Sequence, residues 1–271
     1  MTRTDYGVLE PYFAGRKLYG DDFSPDQIAA WYADEQEGYA NLVARGRSDY
    51  EYAYHSLNRL HGFRHMPARR FRRALGIGSA YGEEFAPIAD RVDEVTILEP
   101  SDTFTGNDVH GIPARWLRPR VDGTLPFHDG HFDLITCLGV LHHVPNVTHV
   151  VREMHRCMSP DGWALVREPV ISMGDWRRPR PGLTKRERGI PSDIFRGILA
   201  SAGFRIVHAS PCVFPLVPKI WHAFGREAFN SDFATRLDSV LSRLLRPNRK
   251  YHADTFVKKF RPVAVYLVLT R

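Results

Sequence analysis

Residues 74–84 read ALGIGSAYGEE, an apolar run that passes straight into glycine and other small side chains. The run suits a buried strand, and the small residues let the backbone after it turn sharply and come close to a ligand. The helix expected next would present unpaired N–H groups at its start. Glycine spacing alone also serves nucleotides, phosphates or plain tight turns, so the remainder of the chain decides what the loop is for.

That remainder alternates. Strand candidates cover 74–77, 95–98, 132–138 and 163–166. Between the last two, a helix over 147–158 turns Val147, Val150, Val151, Met154, Cys157 and Met158 inward and Arg152, Glu153 and Arg156 outward. Ser159, Pro160, Asp161 and Gly162 then stop it and turn the chain. Further on, Pro191 and Ser192 start a helix with Ile194, Phe195, Ile198 and Leu199 on one face; Gly203 ends it before a strand over 204–208. Phe233, Leu237, Val240, Leu241 and Leu244 again have helical spacing, and 262–270 reads as a final strand. Strands alternating with helices predict a parallel sheet covered on both faces.

The first 66 residues read mainly as helix. Ser24 can cap one, Pro25 fits its first position and Gln27 can return the cap, with Ile28, Trp31, Tyr32 and Tyr39 following at helical spacing. A second stretch, 50–61, repeats apolar positions at Ala53, Leu57 and Leu60. Residues 1–66 are therefore expected to form a helical cap or substrate-binding extension over the carboxyl ends of the strands. Residues 67–271 would form the main α/β domain, with a helical insertion at about 220–247 before the final strand.

With 43% hydrophobic and 25% charged residues the chain has the balance of a folded protein. No apolar stretch is long enough to cross a bilayer and MTRTDYGVLEPYF lacks the apolar core of a secretion signal, so a cytoplasmic protein is expected. Cys137, Cys157 and Cys212 are far apart and form no CxxC pair, which gives neither a disulfide framework nor a cysteine zinc site any support. A net charge of +6 allows an anionic partner without choosing one. The arginines gather before the first strand (Arg69, Arg70, Arg72, Arg73) and again in the segment holding Arg177, Arg178, Arg180, Lys185, Arg186 and Arg188.

Glu99 ends the second strand candidate, where a carboxylate can accept hydrogen bonds from both hydroxyls of a ribose; capping the turn at Pro100, Ser101 and Asp102 is the plainer role. Taken in order, ALGIGSAYG, VTILEP, LPFHDGHFDLITCLGVLHHVPNV and REMHRCMSPDGWALVREP resemble the class I S-adenosylmethionine-dependent methyltransferases, in particular their broad small-molecule group. The resemblance spans about residues 71–170. It implies a seven-stranded Rossmann-like sheet flanked by helices with a reversed last strand, S-adenosylmethionine as cofactor and S-adenosylhomocysteine as product.

Carried over position by position, Gly76, Gly78, Ala80 and Gly82, with Ser79 among them, form the loop beside the methionine part of the cofactor, and Glu99 holds the ribose. Ile77, Pro100 and Leu141 are candidate pocket walls. Two departures stand out in the loop: Gly76 where the family commonly has aspartate, and Ala80 where glycine is common. An aspartate is also common where Val121 stands; Asp122, displaced by one, is kept as a candidate adenine contact.

For the methyl acceptor, His142 and His143 follow a buried strand at the ligand-binding edge and Glu168 ends the next strand, so these three are the candidate catalytic residues. Neither the pair nor Glu168 has a metal-ligand spacing in sequence, and no metal is expected. Arg180 and Arg188, with Tyr19 and Trp176, are the candidate contacts to an anionic small molecule, such as a sugar derivative or natural-product precursor methylated at oxygen. Nucleic acid and membrane are not expected partners, and the oligomeric state is open. An NAD-dependent oxidoreductase, an RNA methyltransferase and a non-catalytic S-adenosylmethionine-binding interaction protein are the alternatives.

Overall fold

The computed structural model describes residues 3–43, 47–176, 180–248, 250–253, 255 and 257–271. Arg177 and Arg178 of the second basic group lie outside them. The amino-terminal helices are α1 (Arg3–Phe13), α2 (Pro25–Glu35), α3 (Gly38–Val43) and α4 (His55–His61). Strands β1 (Phe71–Ile77), β2 (Val92–Leu98), β3 (Asp108–Val109), β4 (Ile112–Leu117) and β5 (Phe132–Leu138) follow. After them come α5 (Val147–Cys157), β6 (Met158–Pro169), α6 (Ser192–Ala202), β7 (Arg205–Cys212), α7 (Leu216–His222), α8 (Asp232–Leu244) and β8 (Ala264–Thr270).

The strands form one sheet in the order β3-β4-β2-β1-β5-β6-β8-β7. Strands β4, β2, β1, β5 and β6 are mutually parallel, while β8 runs antiparallel to both β6 and β7. The predicted parallel sheet with a reversed last strand is therefore present, but it has eight strands rather than seven. The additional one is β3, which pairs antiparallel with β4 through Asp108↔Pro113 and Val109↔Ile112. His110 and Gly111 make this hairpin by both taking positive φ, 50° and 80°, the combination a two-residue turn between twisted strands requires.

Side-chain alternation along the strands feeds two cores. On one face Leu75, Ile135 and Val166 meet Val147, Val151 and Met154 of α5 and Phe195 and Leu199 of α6. On the other, Ala74, Leu134 and Leu165 meet Leu57 of α4, Phe85 and Phe229. Opposite faces for successive residues follow from the two-residue strand period. The inward stripe predicted for α5 is buried, with Met158 passing into β6. The SPDG segment leaves the ladder as a bulge, since Phe132 pairs with Met158 while Leu134 pairs with Trp163.

After the glycine loop the chain does not enter the expected α-helix. Residues Glu83–Arg91 form a 3-10 segment broken at Ile88, beside Pro87, which has no N–H to give to a helical ladder. At the amino-terminal side, the Ser24–Gln27 capping box and Pro25 start α2 as expected. This helix is tied to the loop after β5: the Trp31 indole N–H donates to the His143 carbonyl at 2.6 Å. Among the described residues no helix is long and apolar enough to cross a membrane.

Candidate functional site

The loop after β1 closes on itself. The Gly78 N–H donates to Leu98 O at 2.8 Å, joining the loop to the end of β2. Gly78 has φ +58°, and a Cβ there would lie 2.8 Å from a Val140 methyl, so both the backbone conformation and the close approach of the loop after β5 require glycine. At Gly76 the constraint is space: a Cβ would lie 2.5 Å from Ser79 Oγ. Ala80 also has positive φ, 48°, where glycine would be relaxed.

Glu99 sits opposite this loop, 6% exposed. Its carboxylate accepts the N–H of Ala80 at 3.1 Å and that of Ser101 at 3.4 Å. Burial pushes its pKa up to about 7 against those two donors, with Glu37 and Glu84 adding to the rise. The turn-capping bond to Ser101 is thus present, and the same carboxylate stands on the wall of a cavity. Two adjoining cavities meet at Gly78, Pro100 and Val140. One, of about 130 Å³, is apolar and lined by Ile77, Leu98, Val121, Leu125 and Val150; the other, of about 450 Å³, holds Ser79, Glu84 and Glu99.

This arrangement fits an adenosyl ligand: an apolar slot for a flat ring, a buried carboxylate for vicinal hydroxyls, and a backbone approach that only glycine permits. Two expectations change. Leu141 is buried in the core and lines neither cavity; Val140 takes that position. The Asp122 carboxylate is occupied by the Thr124 N–H at 2.9 Å and faces Arg120, so the slot is walled by its neighbour Val121 instead.

Across the larger cavity, residues Leu141–His143 form a 3-10 turn. Glu168, fully buried at the end of β6, accepts four hydrogen bonds: Val140 N–H and Leu141 N–H on Oε1, and His142 N–H and His142 Nδ1 on Oε2. Burial opposes its ionisation, but the His142 ring and the backbone donors outweigh burial and hold its pKa below the usual carboxylate range. With its acceptor positions filled, Glu168 fixes the turn and the histidine ring and is not free to take a proton from an acceptor. Burial, then the neighbouring His143, push the His142 pKa down. His143 Nδ1 lies 2.8 Å from Glu35 at the end of α2, and its Nε2 faces Glu187 at 3.7 Å.

Arg167, beside Glu168, is 8% exposed and lines the larger cavity. Its guanidinium lies 3.7 Å from the Tyr54 ring centre and donates to Leu138 O at 3.3 Å. Its Nη1 is buried with no hydrogen-bond partner among the described residues. Tyr39, Tyr50 and Tyr52 complete this end of the cavity, with the Tyr39 and Tyr50 hydroxyls 3.1 Å apart.

The arginine-rich segment does something other than expected. All five N–H groups of Arg188 donate to carbonyls, those of Tyr19, Leu141, His142, Val144 and Pro145. It is fully buried, and burial pushes its pKa down to about 10. Arg180 donates to the carbonyls of Met173, Thr184, Lys185 and Glu187. Tyr19 and Trp176 stack on each other with centres 5.5 Å apart. None of these four lines either cavity: the guanidiniums of Arg180 and Arg188 and the Trp176 indole N–H are spent on backbone carbonyls of the segment and the turn. Sequence reasoning missed Glu35, Arg167 and Glu187. Only Arg167 had a local signal, as a charge at the end of an otherwise apolar strand.

A family model described as a methyltransferase domain matches residues 46–209. Among solved structures the chain is similar to the cyclase SpnF, at 15% identity and a TM-score of 0.58 over 94% of this chain and 99% of that one. It is also similar to a chain of a Haloferax volcanii complex that contains the Trm112 methyltransferase activator, at 14% identity and a TM-score of 0.54 over 90% of this chain and 97% of that one. An S-adenosylmethionine-dependent methyltransferase from Mesorhizobium loti matches at 18% identity and 0.50 over 77% and 94%. No curated protein matches the chain.

Proposed function

Because the chain belongs to the methyltransferase-domain family and is an S-adenosylmethionine-dependent methyltransferase, we propose that its acceptor is an anionic small molecule methylated at oxygen. The observation that carries the anionic reading is Arg167, a buried guanidinium in the larger cavity whose Nη1 has no partner among the described residues. A buried charge left unpaired is costly, and a carboxylate or phosphate of the acceptor would supply its missing partner in a geometry that a guanidinium favours.

S-adenosylmethionine supplies a methyl group on a positively charged sulfur and leaves as S-adenosylhomocysteine. Glu99 accepts from the ribose, Ile77, Pro100 and Val121 wall the adenine, and the loop from Gly76 to Gly82, with Ser79 turned to the cavity, bounds the methionine part. His142 and His143 face the same cavity as Arg167 and orient the acceptor oxygen, while Glu168 positions His142 and Glu35 positions His143. Most of the gain expected of such a site comes from holding acceptor and donor in line. Residues 1–66 act as the cap, with Glu35 and the tyrosines between 39 and 54 closing the acceptor end.

The test is transfer of a labelled methyl group to a panel of hydroxylated metabolites with and without a carboxylate or phosphate. Transfer only to the anionic members, with KM raised at least tenfold by Arg167→Gln, supports the reading. Equal transfer to neutral analogues overturns it. Because one structural neighbour is named as a cyclase, transfer itself is measured by mass spectrometry of the product rather than by cofactor binding.

A further inference from the structure

The His142–His143 turn meets a third potential ligand that comes from a distant loop. One ring nitrogen of His142, one of His143 and a carboxylate oxygen of Glu187 all lie within 4.8 Å of one another at the wall of the larger cavity. The His143 Nε2 to Glu187 Oε1 separation is 3.7 Å. Two ligands about 2.1 Å from a tetrahedral ion are about 3.4 Å apart, so this pair is nearly at coordination distance already.

A second, independent feature is how the three are held. His142 Nδ1 is paired with Glu168 and His143 Nδ1 with Glu35, each at 2.8 Å. Both rings are thereby fixed through Nδ1, and a neutral ring that donates from Nδ1 carries its lone pair on Nε2, the atom that His143 turns to Glu187. Glu187 Oε1 accepts the Thr184 N–H at 3.1 Å, while the single proton of the Thr184 hydroxyl goes to Glu35 Oε2. Carboxylates behind the histidines are the arrangement that orients imidazoles toward a metal and raises their basicity. We propose that His142, His143 and Glu187 bind one divalent transition-metal ion, of the zinc or manganese kind, with an open position toward the cavity for an acceptor oxygen.

Two imidazoles and one carboxylate suit such ions, and three protein ligands leave room for an outside oxygen. The proposal rests on the acceptor reading above, since an acceptor hydroxyl in the open position would have a lowered pKa and could release its proton to solvent before transfer. It also accounts for a cluster of three carboxylates, Glu35, Glu168 and Glu187, gathered around two histidines in a buried place.

The full chain, stripped with a chelator and dialysed, is titrated with Zn2+, Mn2+ and Co2+ by calorimetry, and bound metal is counted by mass spectrometry. One ion per chain is expected, with Co2+ giving a visible absorption band. Glu187→Gln and His143→Ala should each weaken binding at least tenfold. Glu168→Gln should weaken it about tenfold to a hundredfold by releasing the His142 ring. S-adenosylhomocysteine binding and Tm identify which variants stay folded. No stoichiometric ion in the wild type, or full retention of it in the folded Glu187→Gln variant, overturns the proposal. Bound metal without transfer to any anionic acceptor defeats the acceptor reading alone; undiminished transfer by metal-free enzyme defeats the metal site alone.

Discussion

The Glu99 carboxylate accepts the backbone N–H of Ala80 at 3.1 Å, so the acid at the end of β2 and the glycine loop after β1 are one unit rather than two neighbouring motifs. Trp116 of β4 joins the same unit by donating its indole N–H to Ala80 O at 2.8 Å. The positive φ of Ala80 thus turns its N–H to Glu99 and its carbonyl to Trp116.

That linkage makes cofactor affinity pH-dependent. Burial raises the Glu99 pKa to about 7, and ribose hydroxyls favour its ionised form. Affinity for S-adenosylhomocysteine should therefore climb as pH rises through 7, by up to about tenfold per unit below it, and level off above. Glu84, in the same cavity and raised to about 7 by burial, contributes its own share. Glu99→Gln should weaken binding about tenfold or more and reduce the slope. A slope left unchanged in calorimetry would reject Glu99 as the ribose anchor.

Gly78→Ala tests the close approach. The new methyl would lie 2.8 Å from Val140, in a backbone conformation that costs alanine about 1–2 kcal/mol. Cofactor affinity should fall at least tenfold, with a lower Tm. Gly111→Ala is the control, since it has φ +80° but no atom within 4 Å to collide with. It should lower Tm slightly and leave binding unchanged; equal loss in both would remove the argument from Val140.

The parallel core was legible because its strands are buried on both faces and read as continuous apolar runs. Strand β4 was not: Ile112–Leu117, next to the edge strand, buries only Ile112, alternates exposed and half-buried positions after it and includes Pro113, and β3 has two residues. Glu99 and the loop were legible from a local pattern. Arg188 misled because a basic cluster in sequence looks the same whether its charges face a ligand or backbone carbonyls. Glu35 and Glu187 could not be read at all, since their meeting with His143 depends on α2 and a distant loop folding over one turn.

His61 predicts acid sensitivity away from the site. Its Nδ1 meets Ser210 Oγ at 2.7 Å, and burial, with His208, Arg64, Arg243 and His65 around it, pushes its pKa down to about 3. The folded form stays neutral where the unfolded chain takes up a proton, so this contribution is whole above pH 6.5 and shrinks as pH falls toward 3. The loss is up to about 1.4 kcal/mol per unit. His208, lowered to about 4, acts in the same direction. The drop in Tm between pH 7.5 and 5 should be smaller in His61→Gln than in the wild type; equal drops would exclude His61 as the cause.

Arg188 and Arg167 are both buried arginines near the turn, and different outcomes are expected of them. Arg188 satisfies five carbonyls with five donors, and lysine, with three donors on one atom, cannot reproduce that fork. Each carbonyl left bare costs about 1–3 kcal/mol, so Arg188→Lys should lower stability by at least about 2 kcal/mol in denaturant titration. Arg167 donates to one carbonyl, that of Leu138, and has an unpartnered Nη1 and no carboxylate partner among the described residues, so Arg167→Gln should lower stability much less than Arg188→Lys. Its effect should appear instead in the KM for an anionic acceptor. An Arg167 variant that unfolds easily yet keeps normal acceptor kinetics would make Arg167 a structural residue and place the acceptor's anionic group elsewhere in the cavity.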